Sequence, residues 1–131
     1  MPPINIWAVL AAGLSSMILG ALWYSPVLFG NAWMRESGMT PEKAASANMA
    51  VTMSLAFLLS LVGAAVFAMF LGPTTTPMFG LAVGFAAGLC WVAARYDNNY
   101  LFERGSTKLF LINGGYHTVQ YTLIGLILGA W

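Results

Sequence analysis

The chain has 131 residues, of which 60% are hydrophobic and only 7% charged, with a formal net charge of +1. A soluble domain carries about 25% charged residues, so this composition excludes an ordinary water-soluble fold and points to a membrane protein. Near-neutral charge without a basic arm or patch argues against a nucleic-acid partner, and one cysteine, Cys90, leaves no intrachain disulfide.

The first apolar run covers residues 4–24. It lacks the positive opening of a secretory signal and is longer than a signal core, so it reads as retained. Ser25-Pro26 ends it, because proline disfavours helix in the residue before it and suits the first position of a new helix capped by serine. That new helix, residues 26–37, mixes Val27, Leu28, Phe29, Trp33 and Met34 with Asn31, Arg35 and Glu36, the pattern of a short interfacial helix. Gly38 supplies a stop, and Thr40-Pro41-Glu42 reads as an N-cap, a first-turn proline and an acid at the positive end of the helix dipole.

A second crossing is predicted over residues 41–71, about 46 Å if unbroken, longer than the hydrocarbon layer. Gly72-Pro73-Thr74-Thr75-Thr76-Pro77 is an uncharged turn in which Thr76 caps a third helix. That helix, residues 77–104, turns polar after Ala94. Gly105-Ser106 repeats the stop and cap, and a fourth helix runs over residues 107–131. The expectation is therefore an all-α, single-domain polytopic membrane protein: four transmembrane helices as two hairpins, plus the interfacial helix.

Every Lys and Arg falls between helices one and two (Arg35, Lys43) or three and four (Arg95, Arg104, Lys108). Positively charged loops stay in the cytoplasm, which predicts a multi-pass protein of a bacterial inner membrane with both termini and the Thr-rich turn outside. Trp7 and Trp131 would mark the outer interface, and Trp23, Tyr24, Trp33, Tyr96 and Tyr100 the inner one, as anchors. Helices in lipid cannot associate by a hydrophobic effect and need close backbone approach or polar contacts. Stripes of small residues four apart offer that approach: Ala8, Ala12, Ser16, Gly20; Ala56, Ser60, Ala64, Ala68; Gly80, Gly84, Gly88; and Gly114, Thr118, Thr122 with Gly125 and Gly129. The pattern predicts a compact bundle with glycines to spare for a second copy, hence a homo-oligomer.

The fourth helix also carries Asn113, His117, Gln120 and Tyr121 at helical spacing, a polar stripe that lipid should not see. His117, the sole histidine, lies roughly 13 Å along the helix from Lys108. A tight hairpin turning near Gly105-Ser106 would put Asn98 level with Asn113, and Arg95 level with Tyr116 and His117. An Arg at the bilayer centre costs about 2.5 to 3.5 kcal/mol, so Arg95 should snorkel to the headgroups or pair with Asp97 of a neighbouring chain. The candidate binding residues are therefore His117, Asn113, Arg95, Asn98, Asn99, Gln120 and Tyr121. Imidazole is the side chain whose unperturbed pKa lies near neutrality, so the expected function is a small oligomeric transporter or channel-like protein whose polar site around His117 takes a small polar solute or a proton. The alternative is that these groups are hydrogen-bonding contacts between helices of a protein that binds a lipid or a partner. Met49 and Met53 are too few for a metal site; no cofactor is implied, and no nucleophile or acid-base pair argues for an enzyme.

Ala21-Leu22-Trp23-Tyr24-Ser25-Pro26 with Phe29-Gly30 and Trp33, together with Asn99-Tyr100-Leu101-Phe102-Glu103 and Lys108 to His117 (KLFLINGGYH), resemble a family of small, mostly bacterial, four-helix membrane proteins catalogued as a domain of unknown function, family 1761. The resemblance spans essentially the whole chain. It implies an integral membrane protein with no established activity, cofactor or substrate.

Overall fold

The structure, a computed structural model, describes residues 3–46, 48–103 and 106–131, with the side chains of Tyr96, Asp97, Asn98 and Tyr100 outside that description. It is all-α. Asn5 opens α1 (Ile6–Trp23), its side chain accepting from the backbone of Trp7 and Ala8. Serine and proline at 25 and 26 do end that helix, but the next one does not begin there. Ser25 Oγ turns back to the Leu22 carbonyl, and the Phe29 and Gly30 amides bond the carbonyls of Trp23 and Ser25. Residues 24–29 thus close into turns, and α2 (Gly30–Ser37) starts four residues later than expected. Glycine is required at position 30: a Cβ there would lie 2.7 Å from the Ser25 carbonyl oxygen and closer still to that of Tyr24.

Gly38, in the left-handed conformation at φ 74°, stops α2. The expected continuous helix over residues 41–71 is in fact two. Thr40 caps α3 (Pro41–Ser46), and Asn48 then starts α4 (Met49–Leu71), its side chain accepting from the Val51 amide while Thr52 Oγ1 bonds its carbonyl. Asparagine competes for backbone partners in this way, which favours caps over helix interiors.

After the 72–76 turn, Thr76 caps α5 (Pro77–Ala87) as expected. The helical path continues through a π-helical segment, Gly88–Ala93, into α6 (Ala94–Glu103). Ser106 caps α7 (Thr107–Ala130); its expected companion Gly105, with Arg104, lies outside the described residues.

Helix α7 is the hub. Helix α5 and the π segment pack along it most extensively, α1 lies against both α7 and α4, and α4 meets α7 far less. Val9, Ala12, Ala64, Phe67, Ala68, Ala87 and Ile124 form the core where these helices converge. The N-terminal residues Ile4 and Asn5, Gly72 at the end of α4 and Trp131 line one groove, and Thr76 abuts Gly129, so the 72–76 turn and both ends of the chain share one end of the molecule. Arg35, Lys43, Arg95 and Lys108 belong to elements at the opposite, basic end. Among the described residues two helices, α1 and α4, are long and apolar enough to cross a membrane; Pro77–Ala93 is apolar but shorter.

The glycine stripes of α5 and α7 face each other at backbone distance. A Cβ on Gly80 would overlap the Gly125 carbonyl, one on Gly84 the Tyr121 carbonyl, and one on Gly88 would lie 2.8 Å from Thr118 Cα. The glycines held in reserve for a second copy are thus used inside the chain, and the expectation of a homo-oligomer loses that argument.

Candidate functional site

The glycine seam also corrects the register of the last hairpin. Gly84 abuts Tyr121, Gly88 abuts His117 and Thr118, and a Cβ on Gly114 would lie 3.4 Å from that of Ala93. Gly88, not Arg95, is therefore level with His117. With Ala93 beside Gly114, Arg95 comes level with Ile112, about five residues or roughly 7 Å along α7 from His117 toward the basic end. Close backbone contact sets the level of the two helices, and the turn follows from it. Arg95 and Asn99 are exposed; Asn98 keeps its place in α6, but its side chain, like that of Asp97, lies outside the described residues. Of the seven side chains expected to cluster, Arg95 and Asn99 therefore stand apart from His117.

The polar stripe of α7 instead divides into two groups. The first faces α1. Trp23 Nε1–H donates to the Ile112 carbonyl at 2.9 Å, the Tyr24 hydroxyl to Asn113 Oδ1 at 2.7 Å, and the Tyr116 hydroxyl to the Ser16 carbonyl at 3.1 Å. The rings pack among themselves at an angle: Trp23 tilted on Phe29 at 4.8 Å, and Tyr24 tilted on Tyr116 at 5.4 Å and edge-on to Trp33 at 5.7 Å. Trp23, Tyr24 and Trp33, expected as anchors at the inner interface, also make contacts within the protein that join the end of α1 to the start of α7. Gly115 permits it, since a Cβ there would lie 3.1 Å from the Trp23 ring.

The second group faces α4. His117 Nδ1 and Gln120 Oε1 are hydrogen-bonded at 2.9 Å, Gln120 is buried, and Tyr121 meets Phe67 edge-on at 5.6 Å. Here α4 stands off α7, leaving a half-open groove of about 320 Å³ whose walls include Leu59, Ser60, Gly63 and Val92 and whose floor is His117, Gln120 and Tyr121. It continues into an apolar stretch of about 360 Å³ between Val66 and Phe70 of α4 and Trp91 of the π segment, the two sharing Gly63, Val92 and Tyr121. The π segment thus forms one wall of the groove directly beside His117. Single π turns inside α-helices are rare and frequent at functional sites. No residue pattern marks the π turn in advance; Ser60 reads only as a member of a small-residue stripe, and Gly63 falls outside the stripes altogether.

Both blocks of the resemblance, Trp23-Tyr24 and Ile112 to His117, meet in the first group and border the second. A family model described as protein of unknown function, DUF1761, matches residues 7–129, and the chain belongs to that family. No curated protein and no solved structure matches it.

Proposed function

We propose that this DUF1761 protein is an integral membrane protein with four crossings in two hairpins, both termini outside a bacterial inner membrane, whose His117 groove takes up a lipid-like molecule from the bilayer. Support for the membrane arrangement comes from α4, where Leu55, Leu58, Leu59, Val62, Val66 and Phe70 are all exposed. Such a face is stable against acyl chains and costly against water. The polar residues Asn113, Tyr116 and Gln120 of α7 are turned into the protein, and the basic residues gather at the end away from the termini, as the positive-inside rule requires of a cytoplasmic side. Helix α2, short and mixed, suits that interface.

The observation that carries the ligand reading is the hydrogen-bonded His117–Gln120 pair on the floor of a groove with apolar walls. A molecule arriving sideways through the bilayer meets leucine, valine and aromatic surface first, then a short row of imidazole, amide and phenol. This suits an acyl or isoprenoid chain bearing a hydroxyl or carbonyl group. Binding pockets are commonly of this kind, mostly apolar with a few placed polar groups.

The test is photocrosslinking in liposomes with a lipid carrying a diazirine in its acyl chain. Crosslinks concentrated on α4 and the π segment around Leu59 and Val92, reduced severalfold in His117→Ala, are expected. Labelling spread evenly over the exposed face of α4, and unchanged by the substitution, would overturn the reading. A solute or proton path is the second reading, favoured by the sole histidine lying well inside α7; flux into liposomes that His117→Ala abolishes would decide for it.

A further inference from the structure

We infer that a second groove, between α2 and α7 at the basic end, holds an anionic phospholipid of the cytoplasmic leaflet; this rests on the membrane reading above, but not on the His117 groove. The groove measures about 340 Å³, and its walls are Trp23, Phe29, Ala32, Leu111 and Gly115, with Lys108 the one charged residue along it among the described residues. Its shape is built in. The Trp23 indole is pinned to α7 through the Ile112 carbonyl, and the bare backbone of Gly115 lies beneath its ring. Helix α2 is tied to the start of α7 by the Ser106 hydroxyl, which donates to Glu36 Oε2 at 2.5 Å.

Charge then selects the occupant. Lys108 is the second residue of α7, whose first turn holds no acid. A cation there stands at the positive end of the helix dipole, where it is disfavoured and an anion is welcome. Arg35 lies three residues beyond Ala32 on α2, on the same side of that helix. The neighbouring Glu36 is occupied by Ser106. A lysine stem running along apolar wall, with its ammonium at headgroup level, is the snorkelling geometry. An apolar slot ending in cationic charge fits an acyl chain attached to a net-negative headgroup. A zwitterionic lipid lacks the net charge, and free phosphate lacks the chain.

The experiment uses the full chain in nanodiscs containing phosphatidylcholine and phosphatidylglycerol, with lipids that remain bound on release counted by native mass spectrometry. The wild type should retain phosphatidylglycerol preferentially. Lys108→Gln should lose about fivefold of that preference, the worth of one basic side chain at a membrane surface. Lys108→Arg and His117→Ala should keep it, and inorganic phosphate should not displace the lipid. Lys108 is exposed, so the Gln variant should fold, and a retained helical circular dichroism spectrum checks that it does. Equal retention of both lipids by the wild type, an unchanged preference in a folded Lys108→Gln, or displacement by phosphate would overturn the inference. Extraction of the protein from membranes by alkaline carbonate would overturn the membrane reading itself, and the inference with it.

Discussion

The two sides of α7 are built on opposite terms. Against α5, side chains have been removed until backbone meets backbone, with Gly80, Gly84 and Gly88 facing Gly125, Tyr121 and Thr118. Against α4, side chains have been kept, and the helices touch through single contacts such as Phe67 on Tyr121. In the bilayer proposed above, attraction between apolar helices comes from close packing and hydrogen bonds. The seam therefore obtains its cohesion by exclusion of side chains, whereas the α4 side leaves volume that the chain does not fill. The seam holds the π segment against His117, and the opening beside α4 makes that histidine reachable.

The sharpest way to break this contrast is to give the seam a side chain. In Gly84→Val the new Cβ would overlap the Tyr121 carbonyl, a backbone atom that cannot rotate away. The cost should be about 3 kcal/mol or more, at the upper end of overpacking, read as a large fall in thermal midpoint in detergent. A midpoint equal to wild type would mean that the seam is not close-packed. Next in size is Trp23→Ala, which removes a half-buried ring and the donor to Ile112. About 2 kcal/mol should be lost, below the range for a fully buried tryptophan, and Trp23→Phe should recover part of it. Tyr116→Phe removes only the hydroxyl bond to Ser16, and should cost about 0.6 kcal/mol, the average for such bonds in membranes.

Much of this architecture was legible because its signals are local. Thr76 and Ser106 each cap the helix predicted from them, Thr40 caps the short first part of the one predicted from it, and Gly38 stops α2 in the left-handed conformation that a helix stop needs. The stripes of small residues also identified the faces that pack. What sequence could not supply was relative level. A hairpin read from its turn puts Arg95 beside His117, while the true level depends on which glycine meets which, a property of two helices at once. Asn48 was passed over for a related reason: asparagine inside an apolar run is equally a polar group in a continuous helix and a cap that restarts one. Trp23 and Tyr24 looked like anchors because aromatic residues near a helix end usually are. Only their partners ninety residues away show that they also join two helices.

The smallest change tests the other side of α7. Gly63 sits where the two stretches of the groove join, and a Cβ on it would lie 3.2 Å from the Tyr121 hydroxyl. Unlike the Tyr121 carbonyl at the seam, that hydroxyl is the far end of a side chain and can yield by a few tenths of an ångström. Replacing a helical glycine with alanine is worth about 1 kcal/mol of helix propensity, which should offset the tight contact and leave the thermal midpoint of Gly63→Ala near that of wild type. The groove, however, loses space where its two stretches join, beside the polar floor. Photocrosslinking by the acyl diazirine should fall in this variant while its stability holds, the reverse of the expectation for a glycine of the seam. A loss of stability like that of Gly84→Val would show that α4 is packed as closely as α5, and that the space beside His117 is not there to be filled.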